Sequence, residues 1–317
     1  MSSEVLDRGL VLDAVRVTEI AAIAAWRQVG RGDELLADQA AVDAMRTALN
    51  DLDIDGEIVI GEGERDEAPM LFIGEKVGSG KGPKVDIALD PLEGTTLTAK
   101  AMANALTVMA WAPKGSLLNA PDTYMDKIAC GPGYPASVID LDRSPAENVK
   151  AIATAKGVDV SEVTVCVMDR PRHAEIIAAL RAVGARVYLI TDGDVAGVMN
   201  TADPSTGVDL YLGQGGAPEG VLACAALKCM GGQFQGRLVF RNGDEKARAR
   251  RIGITDFDRK YDLHEIVRAD AIFAATGVTN GALLDGVRHE GGFVHTHSIV
   301  MNSATRTVRE VRMKRLV

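Results

Sequence analysis

Apolar side chains recur at spacings of three and four between Val5 and Trp26 (Leu10, Ala14, Val17, Ala21, Ala24), which predicts an amphipathic helix that Gly30-Arg31-Gly32 stops. A second helix is expected from Asp38 to Leu49, where Ala40, Ala41, Ala44, Met45 and Ala48 combine helix propensity with an apolar face. Strand-like runs follow. Glu57 to Ile60 and Met70 to Ile73 flank the turn Gly61-Glu62-Gly63-Glu64, and Val85 to Leu89 and Ala105 to Ala112 are two more. From about Val158 the rhythm alternates strictly: strand Val163 to Met168, helix His173 to Val183, strand Arg186 to Ile190, helix Asp194 to Asn200, strand Val208 to Leu212, helix Pro218 to Met230. Alternation of this kind predicts a parallel or mixed sheet covered by helices, with ligands at the C-terminal ends of its strands. Strands near Gln233 to Phe240, Ala271 to Ala275 and Phe293 to Val300 complete the pattern, with a polar link from Asn242 to Arg251.

The fold class is therefore α/β (α+β). The change of rhythm puts a seam between Leu141 and Asp159, dividing the chain into an N-terminal α+β half, 1–158, and a C-terminal α/β half, 159–317, packed as one unit.

Composition narrows the function. The chain has 317 residues, 47% hydrophobic and 25% charged, which is ordinary globular usage and excludes disordered or fibrous classes. A formal net charge of −9 argues against nucleic acid or an anionic membrane as partner. Arg306, Arg309, Arg312, Lys314 and Arg315 are the basic exception, expected on a solvated strand or a partner-subunit contact. The longest apolar stretch, Ala105 to Ala112, is too short to span a bilayer and is interrupted by Thr107; the N-terminus lacks a basic and apolar export signal. Cys130, Cys166, Cys224 and Cys229 form no C-x-x-C pair, so reduced core thiols in a cytoplasmic protein are expected.

Two acidic segments carry the candidate chemistry. Between Asp51 and Glu67 stand eight acids (Asp51, Asp53, Asp55, Glu57, Glu62, Glu64, Asp66, Glu67) against one base, Arg65, and the apolar Ile58-Val59-Ile60 delivers Glu62 to a strand end on a glycine turn. Asp90-Pro91-Leu92-Glu93-Gly94-Thr95 follows the strand V-D-I-A-L, where a rigid proline turn would point two carboxylates the same way beside a hydroxyl. Gly215-Gly216-Ala217-Pro218-Glu219 adds a third acid at a helix start. Oxygen-only donors suit a hard cation such as Mg²⁺ or Mn²⁺.

Three other motifs fail. Gly74 to Lys81 does not fit a phosphate loop, because from Gly74 the second glycine would fall at Ser79 and the Ser/Thr at Lys81. Gly213 to Pro218 breaks a dinucleotide fingerprint with proline. His295-Thr296-His297 has no further ligands to complete a zinc site.

The Asp90–Thr95 segment resembles the D-P-[IL]-[DE]-G-[ST] signature of the lithium-sensitive, metal-dependent sugar phosphatase superfamily. Gly30-Arg31-Gly32-Asp33, Ala37-Asp38-Gln39, Ile60-Gly61-Glu62-Gly63-Glu64, Leu118-Asn119-Ala120-Pro121-Asp122, Pro171-Arg172-His173, Asp192-Gly193-Asp194 and Gly215–Gly220 together resemble the class II bacterial fructose-1,6-bisphosphatases over essentially the whole chain. The resemblance implies a layered α-β-α-β-α sandwich, usually assembled as homodimers or homotetramers. It implies metal ligands at Asp38, Glu62, Asp90, Glu93 and Glu219. Implied substrate contacts are Glu93, Gly94, Thr95, Tyr124, Arg170, Pro171, Arg172, Asp192, Gly193, Asp194 and Gly216, with Thr95 and Asp66 helping to activate water. This chain departs from many relatives in carrying Glu34 after R-G-D, and from several in carrying Arg170, where each has lysine. The expected activity is Mg²⁺- or Mn²⁺-dependent hydrolysis of fructose 1,6-bisphosphate to fructose 6-phosphate in gluconeogenesis, with sedoheptulose 1,7-bisphosphate as a candidate second substrate. An inositol- or nucleotide-directed phosphatase and a non-catalytic sugar-phosphate sensor are the alternatives.

Overall fold

The computed structural model describes residues 8–63 and 70–317. Asp66, and with it Glu64, Arg65 and Glu67, lies outside the described residues, as do the first residues of the helix expected from Val5. The backbone divides at Leu118/Asn119 and at Ile266/Val267, so the chain leaves the first unit, forms the second from Asn119–Ile266, and returns. The seam expected at Leu141–Asp159 falls inside the second unit. Its rhythm change is real, but the capped helix Pro145–Lys156 bridges it: Ser144 and Glu147 form a reciprocal capping box and Gly157 ends the helix in the left-handed conformation. Val149, Ile152 and Ala153 on that helix join the apolar core of the second unit.

Among the described residues, the first unit holds an eight-stranded sheet. Its order is Arg288–Glu290, Phe293–Asn302, Ile272–Gly277, Leu106–Pro113, Lys84–Glu93, Asp55–Ile60, Lys76–Val77, with Thr307–Leu316 also paired to Phe293–Asn302. Asp55–Ile60 and Lys84–Glu93 run parallel; the other pairs are antiparallel. The helices Arg8–Trp26 and Glu34–Asn50 present Ala14, Val17, Ala21, Met45 and Leu49 to its core, as their spacing predicts. Met70–Ile73 is not a strand. Leu71 takes a positive φ of 54°, and its carbonyl accepts from Glu62 N–H at 3.0 Å, so this stretch closes the glycine turn.

The second unit holds a six-stranded mixed sheet in the order Lys260–Asp262, Gln233–Val239, Tyr124–Cys130, Leu210–Gly216, Thr164–Met168, Arg186–Ile190. The three strands from the alternating region are parallel, as expected. Tyr124–Cys130 runs antiparallel to its two neighbours. The protein is thus of the mixed α/β class, with two sheets and helices. No helix among the described residues is long and apolar enough to cross a membrane. All four cysteines are free and buried, and burial pushes the Cys130 and Cys166 thiols up to about 12. Arg309, Arg312, Lys314 and Arg315 lie on the strand Thr307–Leu316, where Arg312 pairs with Asp285 at 2.6 Å and Lys314 covers the Phe293 ring, while Arg306 sits in the turn before it.

Candidate active site

The parallel pairing in the first unit aligns two acidic strand ends. Ile60 is level with Ala88, so Glu62 and Asp90 each follow two residues later at the same sheet edge. The Lys84–Glu93 strand does not stop at Pro91. It continues to Glu93 through a register shift against Leu106–Pro113 between Asp90 and Glu93. Side chains three residues apart on a regular strand face opposite ways; the irregularity brings these two together, with carboxylate oxygens within 4.8 Å of one another. Asp90 Oδ1 accepts from Leu92 N–H at 3.0 Å, and Thr107 Oγ1 donates to Pro91 O at 2.9 Å, so the bulge is pinned from both sides. Glu93 is 5% exposed.

Gly94 follows with φ 95°, a left-handed conformation, and caps the short helix Thr95–Ala99. A Cβ at Gly94 would meet Leu97 Cδ1 at 2.8 Å. Thr95 is consequently the first helical residue, half-buried, and not the cap. Asp38 lies in the first turns of the helix Glu34–Asn50, whose N-cap Asp33 accepts from Leu36 N–H at 2.9 Å. Burial, then the negative charge of Asp90, raises the Asp38 carboxyl to about 6. An all-carboxylate donor set with like charges this close fits a hard divalent cation, which would relieve the repulsion.

In the second unit the strand directions place the other expected residues along one sheet edge. The parallel strands end at Met168, Ile190 and Gly216, and the antiparallel neighbour begins there, Tyr124 opposite Gly216. Arg170, Pro171 and Arg172 follow the first strand, with Pro171 opening a 3₁₀ turn. Asp192, Gly193 and Asp194 follow the second, with Gly193 at φ 80° capping the helix Asp194–Met199. Glu219 lies in the first turn of the helix Ala217–Met230, and a Cβ on Gly216 would strike its carboxylate.

Two pairings were hidden in the sequence. Arg170 Nη2 lies 3.9 Å from Asp192 Oδ1, so an acid does stand beside the R-P-R turn. Asp194 is 5% exposed and accepts from Lys127 Nζ at 2.6 Å, the ammonium being fully buried on the central strand Tyr124–Cys130. Gly215 lies against both, since a Cβ there would strike the Asp194 carboxylate and come within 3.1 Å of Lys127 Nζ. Asp194 therefore fixes the loop from below, while Asp192 remains part-exposed.

His173 ties the edge together. Its ring, 1% exposed, donates from Nδ1 to Met168 O at 2.7 Å and accepts at Nε2 from Gln214 N–H at 2.8 Å, which fixes the neutral tautomer. Arg172 Nε donates to Gln214 O at 3.0 Å, on the strand His173 bridges to. Burial foremost lowers the His173 pKa below its usual 6.5. The unfolded chain thus binds more protons here, and the stabilisation is present above about pH 6.5 and lost as pH falls below it. His173→Gln should flatten the fall in Tm between about pH 7 and pH 5, measured by calorimetry; an unchanged slope would mean that His173 does not titrate in that range.

In the first unit, carboxylates gathered at a bulged strand end suit a divalent cation; in the second, arginines at the C-terminal ends of parallel strands suit a phosphate ester. The family model for "Bacterial fructose-1,6-bisphosphatase, glpX-encoded" matches residues 8–315. The "Fructose-1,6-bisphosphatase 1 class 2" of Escherichia coli K12 is 46% identical over an alignment of 319 residues, covering 96% of this chain and 94% of the relative; the "Fructose-1,6-bisphosphatase class 2" of Shigella flexneri matches to the same extent. Of solved structures, the extragenic suppressor protein suhB from Bartonella henselae aligns with 61% of this chain and 73% of its own, at 12% identity and a TM-score of 0.35. The chain belongs to the bacterial fructose-1,6-bisphosphatase family of the glpX type.

Proposed function

We propose that this chain hydrolyses the 1-phosphate ester of fructose 1,6-bisphosphate with water, giving fructose 6-phosphate and inorganic phosphate. The reading is carried by the bulged strand end that turns Asp90 and Glu93 to one side, immediately before Gly94-Thr95, in a chain of this family. Asp38, Glu62, Asp90, Glu93 and Glu219 would hold Mg²⁺ or Mn²⁺. The cation supplies charge neutralisation at the phosphoryl oxygens and a lowered pKa for water. The chain's own groups do the rest. Thr95 Oγ1 orients the attacking water and Asp66 helps to activate it. Gly94 lets the backbone approach the phosphate closely. Tyr124, Arg170, Pro171, Arg172, Asp192, Gly193, Asp194 and Gly216 bind the sugar and the phosphate that stays, Asp194 through its hold on the loop. No covalent phosphoenzyme is involved. The buried reduced thiols suit a cytoplasmic enzyme, and a homodimer or homotetramer is the proposed assembly.

Phosphate release with Mn²⁺ from fructose 1,6-bisphosphate, sedoheptulose 1,7-bisphosphate, inositol 1-phosphate and a nucleoside monophosphate tests the substrate. The highest kcat/KM should belong to fructose 1,6-bisphosphate. A preference for inositol 1-phosphate or the nucleotide would move the chain to another specificity, and sugar-phosphate binding without turnover would make it a sensor. Arg172→Ala should raise KM for fructose 1,6-bisphosphate by tens of fold, about 2 to 3 kcal/mol for one charged contact, with much less effect on an aryl monophosphate. Equal losses on both substrates would place Arg172 at the reacting phosphate.

A further inference from the structure

We propose that Arg241 binds the phosphate that is not hydrolysed, together with Arg172 over the ring of Tyr124, and that Glu245 is the positioning residue that aims it; this rests on the substrate reading above. Tyr124 is opposite Val239 in the sheet, so Arg241, two residues beyond, reaches the same edge as Arg170, Arg172 and Gly216. The guanidinium carbons of Arg241 and Arg172 stand 4.9 and 5.0 Å from the centroid of the Tyr124 ring. Two cations bordering one ring repel each other, and an anion bound by both removes that cost while leaving each cation–π contact in place.

The support beneath Arg241 is unusually complete for an exposed side chain. Glu245 is 1% exposed, and its Oε1 accepts from Arg241 Nε at 2.6 Å and lies 2.6 Å from Nη2. Its Oε2 accepts from Arg241 N–H at 2.7 Å and from Thr123 Oγ1 at 3.0 Å. Thr123 Oγ1 also lies 2.6 Å from Val239 O. The N-cap Asn242 fixes the helix turn that carries Glu245, accepting from Glu245 N–H at 2.9 Å. Burial alone would raise the Glu245 carboxyl, but these hydrogen bonds hold it below its usual value, so it stays an anion. The arrangement fixes one edge of the guanidinium fork, and the side chain remains 55% exposed with further N–H donors. A guanidinium serving only to neutralise Glu245 would have no reason to share the Tyr124 ring with Arg172.

Steady-state kinetics of Arg241→Gln, with Arg241→Ala beside it, test the assignment; glutamine keeps a donor for Glu245 and loses the charge. KM for fructose 1,6-bisphosphate should rise about tenfold or more with kcat nearly constant, and specificity over an aryl monophosphate should fall by the same factor. Because Glu245 loses its charged partner, the Tm of Arg241→Gln should fall, so the kinetics are read well below the melting temperature of the variant, where it is fully folded. An unchanged KM, or equal losses on bisphosphate and aryl monophosphate, would overturn the assignment. Should the wild-type chain fail to hydrolyse fructose 1,6-bisphosphate, the substrate reading falls separately. Calorimetric titration with fructose 6-phosphate then decides for Arg241: about tenfold weaker binding to Arg241→Gln supports it, and equal affinity overturns it.

Discussion

Asp90→Asn lowers kcat/KM for fructose 1,6-bisphosphate by roughly 10³-fold or more, about 4 kcal/mol of transition-state stabilisation. The expectation rests on what asparagine keeps and what it loses. An amide oxygen can still accept from Leu92 N–H, so the turn that shapes the bulge survives. The carboxylate charge beside Asp38 and Glu93 does not. Removing a charge from a crowded acidic site should leave the metal-free protein at least as stable while weakening its hold on a cation. The measurements are Mn²⁺-titrated kinetics and a thermal melt of the variant. Activity within about threefold of wild type at saturating Mn²⁺ would remove Asp90 from the ligand set. Exhaustive chelation of the wild-type protein should likewise abolish turnover, and Mn²⁺ should restore it.

Thr95→Ala should lower kcat by roughly 10²-fold with little change in KM, the signature of an interaction made chiefly in the transition state. Structure sharpens this test. The left-handed Gly94 already caps the short helix, with no side-chain bond from Thr95 in that role, so loss of a cap is not the expected consequence. Thr98 Oγ1 bonds back to Gly94 O at 3.2 Å and holds the turn independently. Thr95→Ser keeps the hydroxyl and should recover most of the activity. A rise in KM with kcat intact would assign Thr95 to substrate binding instead.

Much of this was legible in the sequence because periodicity reports burial. The strand Arg186–Ile190 has the bounds its pattern predicts, and the Ala217–Met230 helix begins one residue before Pro218. The polar link at Asn242–Arg251 hid a helix. Its exposed face has little apolar periodicity, and its signals are the Asn242 cap, acids in the first turn and arginines in the last. The D-P-L-E segment announced its carboxylates, but not the bulge that aligns them, since register depends on a partner strand more than ten residues away. The same reason concealed Lys127 and Glu245. A lysine in M-D-K-I-A-C and a glutamate in a charged helix show no local sign of burial; Asp194 reaches Lys127 only once the sheet has formed, and Glu245, although only four residues from Arg241, also accepts from the distant Thr123. The division of the chain was obscured by the return of Val267–Val317 to the first unit, which no local pattern encodes.

Phosphorus NMR of a single incubation with fructose 1,6-bisphosphate tests the central claim most directly, because it follows both ester phosphates and the released ion together. With Mn²⁺ present, the resonance of the 1-phosphate should disappear as inorganic phosphate grows in equal amount, leaving fructose 6-phosphate as the organic product, and none of this should occur after chelation. Persistence of both ester resonances with Mn²⁺, appearance of fructose 1-phosphate, or the same hydrolysis in excess chelator would contradict the account.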